Sequence, residues 1–116
     1  MAQCEQCANS RPHQYIRRGT TPKQIFTFEN ITDVASLDEI LITYAQKGTI
    51  ILEREKDAMT IEDQTLWFRL TQEETLSFNL RAPVEIQVRA LSDGVSLASD
   101  IFEVPVERIL NEEVLQ

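Results

Sequence analysis

Val84-Glu85-Ile86-Gln87-Val88-Arg89-Ala90-Leu91 alternates apolar and polar side chains residue by residue. In an extended chain successive side chains point to opposite faces, so Val84, Ile86, Val88 and Ala90 share one side and Glu85, Gln87 and Arg89 the other. A helix would scatter both sets around its axis. The stretch therefore reads as a half-buried strand. Ser92-Asp93-Gly94 then reads as the turn that sends Val95 to Val106 back antiparallel to it. Pro105, which has no amide to donate, marks an edge or a bulge in that returning strand.

The same period recurs upstream. In Gln24 to Glu29 the rings of Phe26 and Phe28 fall on one face, and in Glu39 to Lys47 Ile40, Ile42 and Tyr44 do, with Leu41 and Thr43 opposite. Gly48 breaks the pattern. Thr49 to Glu55 then reads as the return of a hairpin with Ile50 and Leu52 expected inward. Ala58 to Glu62, the turn Asp63-Gln64 and Thr65 to Leu70 form a further expected hairpin, with Leu66, Phe68 and Leu70 alternating against Trp67 and Arg69. One segment departs from the strand pattern: Thr71-Gln72-Glu73-Glu74 matches a capping box, so a single helical turn is expected near residues 71–76. Glu107 to Gln116 reads either as a short helix or as a tail that meets a partner.

Seven to eight short strands separated by frequent turns, with one short helical turn, describe an all-β antiparallel sandwich. The chain has 116 residues, 42% hydrophobic and 26% charged, which suits one domain with one core. Residues 15–116 are expected to form that domain behind a polar, flexible leader, 1–14, which lacks the apolar stretch of a secretion signal. The chain is accordingly expected to be made in the cytoplasm and to stay reduced there.

The net charge is -8. The basic residues Arg11, Arg17, Arg18 and Lys23 gather before position 24, so the rest of the chain is more acidic still. Such a surface repels nucleic acid, and no partner of that kind, nor a membrane, is expected.

Chemistry has little to work with. The one histidine, His13, follows Cys4-x-x-Cys7 in the leader. These three residues are the right donor types for zinc, but they leave a tetrahedral site one ligand short, so no metal and no cofactor is expected. Carboxylate pairs such as Glu73/Glu74 and Asp57/Asp63 read as solvated surface, because neighbouring acids on a strand point to opposite faces. The three glycines are far apart and form no phosphate-binding loop. No catalytic residues are assigned, and the chain reads as a non-enzymatic protein. Trp67, on the opposite face from Leu66 and Phe68, either fills the second side of its sheet or stands exposed as an interface anchor.

Tyr15-Ile16-Arg17-Arg18-Gly19-Thr20-Thr21-Pro22, with Phe26 and Phe28 after it, resembles a pattern in small proteins encoded by phages and prophages of Firmicutes. Ile42-Thr43-Tyr44-Ala45-Gln46-Lys47-Gly48, Leu70 to Phe78, Val84 to Arg89 and Val106 to Leu110 extend the resemblance in the same order, over about Tyr15 to Leu115. The resemblance implies an immunoglobulin-like sandwich similar to the N-terminal domain of phage baseplate upper proteins. It also implies a virion structural role in a tail or baseplate, with other phage proteins or further copies of the chain as partners. The leader lies outside it. Arg17, Arg18, Gly19, Thr20, Thr21 and Pro22 are then either a plain connection or a docking loop, in which Gly19 permits positive φ and Pro22 keeps Thr21 extended. A first strand over His13 to Arg18, if at an edge, would offer its amides to another subunit. A carbohydrate- or cell-surface-binding module is the alternative, with Trp67 and Tyr44 as its stacking platform.

Overall fold

The alternation in Val84 to Leu91 is realised as a strand at the centre of the larger sheet. The computed structural model describes residues 15–116; the leader, with Cys4, Cys7 and His13, lies outside the described residues. In chain order the strands are β1 (Ile16–Arg17), β2 (Lys23–Thr27), β3 (Glu39–Gln46), β4 (Thr49–Glu55), β5 (Thr60–Glu62) and β6 (Thr65–Arg69). After the helix α1 (Gln72–Leu76) come β7 (Val84–Ser92), β8 (Val95–Ala98), β9 (Phe102–Val104) and β10 (Val106–Glu107).

Two sheets form the sandwich. One has the order β2-β6-β5; the other runs β4-β3-β7-β8, with β9 also on β7. All of these pairings are antiparallel. The first strand closes the circuit by pairing parallel with the last, Ile16 opposite Val106. With β2, β6 and β5 in one sheet facing β4, β3, β7 and β8 in the other, this is the arrangement of an immunoglobulin-like sandwich.

Two-residue turns set both long hairpins. Lys47 and Gly48, and again Asp93 and Gly94, all have positive φ, the geometry whose twist matches that of the flanking strands.

The core is the inward set expected from the period-two pattern. Ile40, Ile42 and Tyr44 from β3 and Val84, Ile86, Val88 and Ala90 from β7 meet Leu66 and Phe68 from β6, all buried. Tyr44 packs edge-on against Phe68 across the two layers at 6.4 Å between centroids, and lies near-parallel to Phe78 at 6.2 Å. Phe26 lies against Phe68 on the same inner side. Each such side chain contributes roughly 1.5–3 kcal/mol on leaving water.

The structure corrects the sequence reading at four places. Ile50 points out and is 59% exposed, while Ile51 and Leu52 pack against the core. The cause is a bulge: Tyr44 faces Leu52 but Ala45 faces Ile50, which leaves Ile51 unpaired and reverses the alternation.

The returning strand after β7 is broken. Arg89 faces Ala98 whereas Ile86 faces Phe102, so one extra residue intervenes. Ser99 holds the irregularity, since its N–H donates to the Val88 carbonyl at 2.8 Å and its Oγ accepts the Val88 N–H at 3.0 Å. Pro105 makes the second break and its carbonyl accepts the Ile16 N–H. Hence ten strand segments stand among the described residues where seven to eight strands were expected.

Of the first strand read over His13 to Arg18, the described residues form β1, and the Ile16 and Arg18 amides that it would offer to another subunit bond instead to the Pro105 and Glu107 carbonyls. Finally, residues 108–116 form neither a helix nor a free tail. The tail lies on the chain's own body, where Gln72 bonds the Leu115 carbonyl and N–H.

Candidate functional site

The Arg17–Pro22 segment is engaged within the chain. Arg18 pairs with Glu112 and donates to the Leu76 carbonyl at 2.7 Å, while Arg17 donates to the Arg108 carbonyl and lies over the Tyr15 ring. Gly19 takes φ +81°, donates to Thr75 Oγ1, and lies so close to the tail that an added Cβ would sit 2.5 Å from Ile109 Cδ1. The Thr75 hydroxyl in turn donates to the Thr20 carbonyl, and the Thr21 and Pro22 carbonyls accept from Arg69 Nη1 and the Leu70 N–H. The loop is therefore a clamp between α1, β6 and the C-terminal tail. As a docking loop it would first have to give up these bonds.

Trp67 stands elsewhere and points outward. Register places Ile25, Trp67 and Thr60 abreast across the smaller sheet, with Thr27, Thr65 and Glu62 abreast one step along and Lys23 beside Arg69 at the other end. Their alternating neighbours, Phe26, Leu66 and Ile61, face the core. Ile25 is 49% exposed and Trp67 half-buried, so an aliphatic and an aromatic side chain share a flat, water-facing surface.

The charges on this face are unusual for so acidic a chain. Lys23 and Arg69 are directly opposite one another, an arrangement that costs stability in a sheet. Each has found a separate acceptor: the Lys23 ammonium sits 4.2 Å from the centroid of Trp67, and Arg69 reaches the Thr21 carbonyl at 2.8 Å. Thr27 and Thr65 exchange a side-chain hydrogen bond at 3.3 Å beside them. The face can therefore offer apolar contact at Ile25 and Trp67, cations at one end, and hydroxyls with the Glu62 carboxylate at the other.

Tyr44 is absent from this surface. It is fully buried in β3, where its hydroxyl donates to Gln24 Oε1 at 2.7 Å and burial pushes its phenol well above the ordinary range. A stacking platform made of Trp67 and Tyr44 does not exist.

Glu74 also differs from a solvated acid. It receives both guanidinium arms of Arg54, which hold its carboxyl below the usual range, so it is a structural partner. Among the described residues no group of three or more His, Cys, Asp or Glu is placed to hold a metal ion. An open groove beside β3 and β4 is bordered by Asp38, Glu39, Glu55 and Asp57. Two of its polar residues are committed to the scaffold: Lys56 donates to the Ala35 and Leu37 carbonyls and Asp38 accepts the Asp93 N–H. No helix among the described residues is long and apolar enough to cross a membrane.

No family model matches the chain, and no curated protein does. Among solved structures it is similar to the crystal structure of a strand-swapped dimer of the immunoglobulin-like domain of mouse leukocyte-associated immunoglobulin-like receptor 1. The identity is 15% over 79% of this chain and 84% of that one, with a TM-score of 0.45.

Sequence reasoning identified Trp67 from its place in the alternation. It placed Arg69 on the same face of the same strand, but it missed Ile25 and Lys23, because only the pairing of β2 with β6 sets them beside Trp67. The signal was present in Lys23-Gln24-Ile25, whose odd positions oppose the inward Phe26, but without a register it named no neighbours.

Proposed function

We propose that this chain is a non-enzymatic binding module that works by protein–protein contact through the outer face of β2-β6-β5. The observation that carries this reading is the pair Ile25 and Trp67, cross-strand neighbours left open to water on a sheet whose other face is core. Aromatic anchors of this kind supply contact area at little cost in conformational entropy, and the Lys23 and Arg69 charges favour an acidic partner surface. Together with the sequence resemblance, the surface supports a virion structural component of a phage or prophage, associated with a tail or baseplate. The partners are then other phage structural proteins or further copies of this chain.

The test is incorporation into particles. Phage particles from an induced lysogen should contain the protein by mass spectrometry. A folded Trp67→Ala chain supplied in place of the wild type should be lost from them. Particles that lack the wild-type protein overturn the virion reading, and particles that retain Trp67→Ala as well as wild type overturn the assignment of this face. A carbohydrate-binding module is the second reading, resting on Trp67 with Lys23 over its ring. Glycan-array binding that disappears in Trp67→Ala would establish it instead.

A further inference from the structure

The smaller sheet ends at β2, and the register shows which of its backbone groups are used. The Leu70 N–H donates to the Pro22 carbonyl and the Phe28 N–H to the Gln64 carbonyl, so residues 22 and 28 point their peptide groups toward β6. Gln24 and Phe26, in phase with them, do the same opposite Phe68 and Leu66. Lys23, Ile25 and Thr27 must then direct their N–H and C=O groups away from β6. Among the described residues no strand pairs with that side.

Unpaired strand edges recruit further strands unless something blunts them, and the other edges of these two larger sheets are blunted. Edge strand β4 carries Glu53 and Glu55 and is bulged at Ile51. β5 is three residues long and ends in Glu62. The β8–β9 edge is broken at Ser99 and carries Asp100 beside the break. β2 is regular along all five of its residues, and its one charge is at its end.

We infer that β2 pairs antiparallel with β2 of a second copy, about a twofold axis at Ile25, to join two smaller sheets into one. Sequence symmetry and charge favour this occupant. With Ile25 opposite its own mate, Lys23 meets Thr27, Gln24 meets Phe26, and no charge meets its like. All three outward residues of each strand then exchange backbone hydrogen bonds. The pairing also covers apolar surface on both sides of the strand, the exposed Ile25 outside and the half-buried Phe26 inside. It would set two Trp67 faces in one continuous surface, but it concerns the backbone edge of β2 and holds whether or not that face takes another partner.

One strand and its flanks make a contact smaller than the ~800 Å² per partner of a stable dimer. Association is therefore expected at about 10 µM to 1 mM, and because each copy carries a net charge of -8 it should strengthen as salt rises. Sedimentation equilibrium of the full chain measures both.

Ile25→Pro removes an outward N–H that β6 does not use, so the fold should stand while self-association falls at least tenfold. Ile25→Lys keeps the backbone intact and sets two ammonium groups face to face; it should weaken association similarly. Ile25→Cys, in a full chain with Cys4→Ser and Cys7→Ser, should form an intermolecular disulfide on mild oxidation, since paired Cα atoms in an antiparallel ladder lie within disulfide reach. Thr60→Cys, exposed on the same face but on β5 at the opposite edge of the sheet, should not.

A full chain that stays monomeric to 1 mM overturns the proposal. So does association that survives both Ile25→Pro and Ile25→Lys, or equal cross-linking at positions 25 and 60.

Discussion

Arg54 on β4 grips Glu74 in α1 through two N–H···O bonds of 2.8 Å each, tying the edge of the larger sheet to the helix that follows β6. The same carboxylate accepts the Thr71 N–H at 2.8 Å, so it closes the helix cap and the ion pair at once. Arg54 spans further, donating to the Arg69 carbonyl and lying 5.2 Å from the Phe68 ring centroid. A five-residue helix cannot hold itself in water, and this pair supplies part of what its length does not.

Glu74→Gln keeps an acceptor for the Thr71 N–H but loses the charge that Arg54 meets. A loss of about 1–2 kcal/mol in urea unfolding is expected. The Glu74 pKa is lower folded than unfolded, first because of its bonds to Arg54, so its contribution is complete above the ordinary carboxylate range and fades as pH falls through the folded value. Unfolding midpoints between pH 7 and pH 3 should therefore fall less steeply for Glu74→Gln than for wild type. Parallel curves would count against the pair.

Gln46 is buried at the end of β3 and replaces missing backbone partners in the loop before β7. Its Nε2 donates to the Asn79 and Ala82 carbonyls at 2.8 and 2.9 Å, and its Oε1 accepts the Asn79 N–H at 2.8 Å. Gln46→Leu has nearly the right volume and none of these bonds. It should cost about 3 kcal/mol by denaturant titration, because buried peptide groups left unmatched are expensive. A cost below about 1 kcal/mol would mean that water takes over the role.

Gly19→Ala and Gly94→Ala separate two effects. Both residues have positive φ, which should cost each variant about 1 kcal/mol. At Gly94 the new methyl enters open space, whereas at Gly19 it meets Ile109 Cδ1. Gly19→Ala alone should loosen the tail, seen as faster tryptic cleavage after Arg108 under native conditions. Equal cleavage in both variants would show that Ile109 simply steps aside.

Tyr44→Phe removes the hydroxyl that donates to Gln24 and should cost about 1 kcal/mol near neutral pH. Burial raises the folded phenol above its unfolded value. Its contribution is thus complete below about pH 10 and lost as pH rises beyond that. The variant should lose less stability than wild type between pH 9 and 11, followed by circular dichroism.

By itself the sequence determined the all-β sandwich, its inward faces on β3, β6 and β7, and the helical turn with its Thr71 cap. Each of these follows from side chains at most a few positions apart, where a period of two or a capping spacing acts through local backbone geometry. Only the tertiary structure decided that Ile50 faces water, that Arg18 and Gly19 serve the C-terminal tail, and that Ile25 and Lys23 stand beside Trp67. These depend on bulges and on registers between strands far apart in the chain. A shift of one residue exchanges the two faces of a strand, and no local pattern says which partner will be opposite.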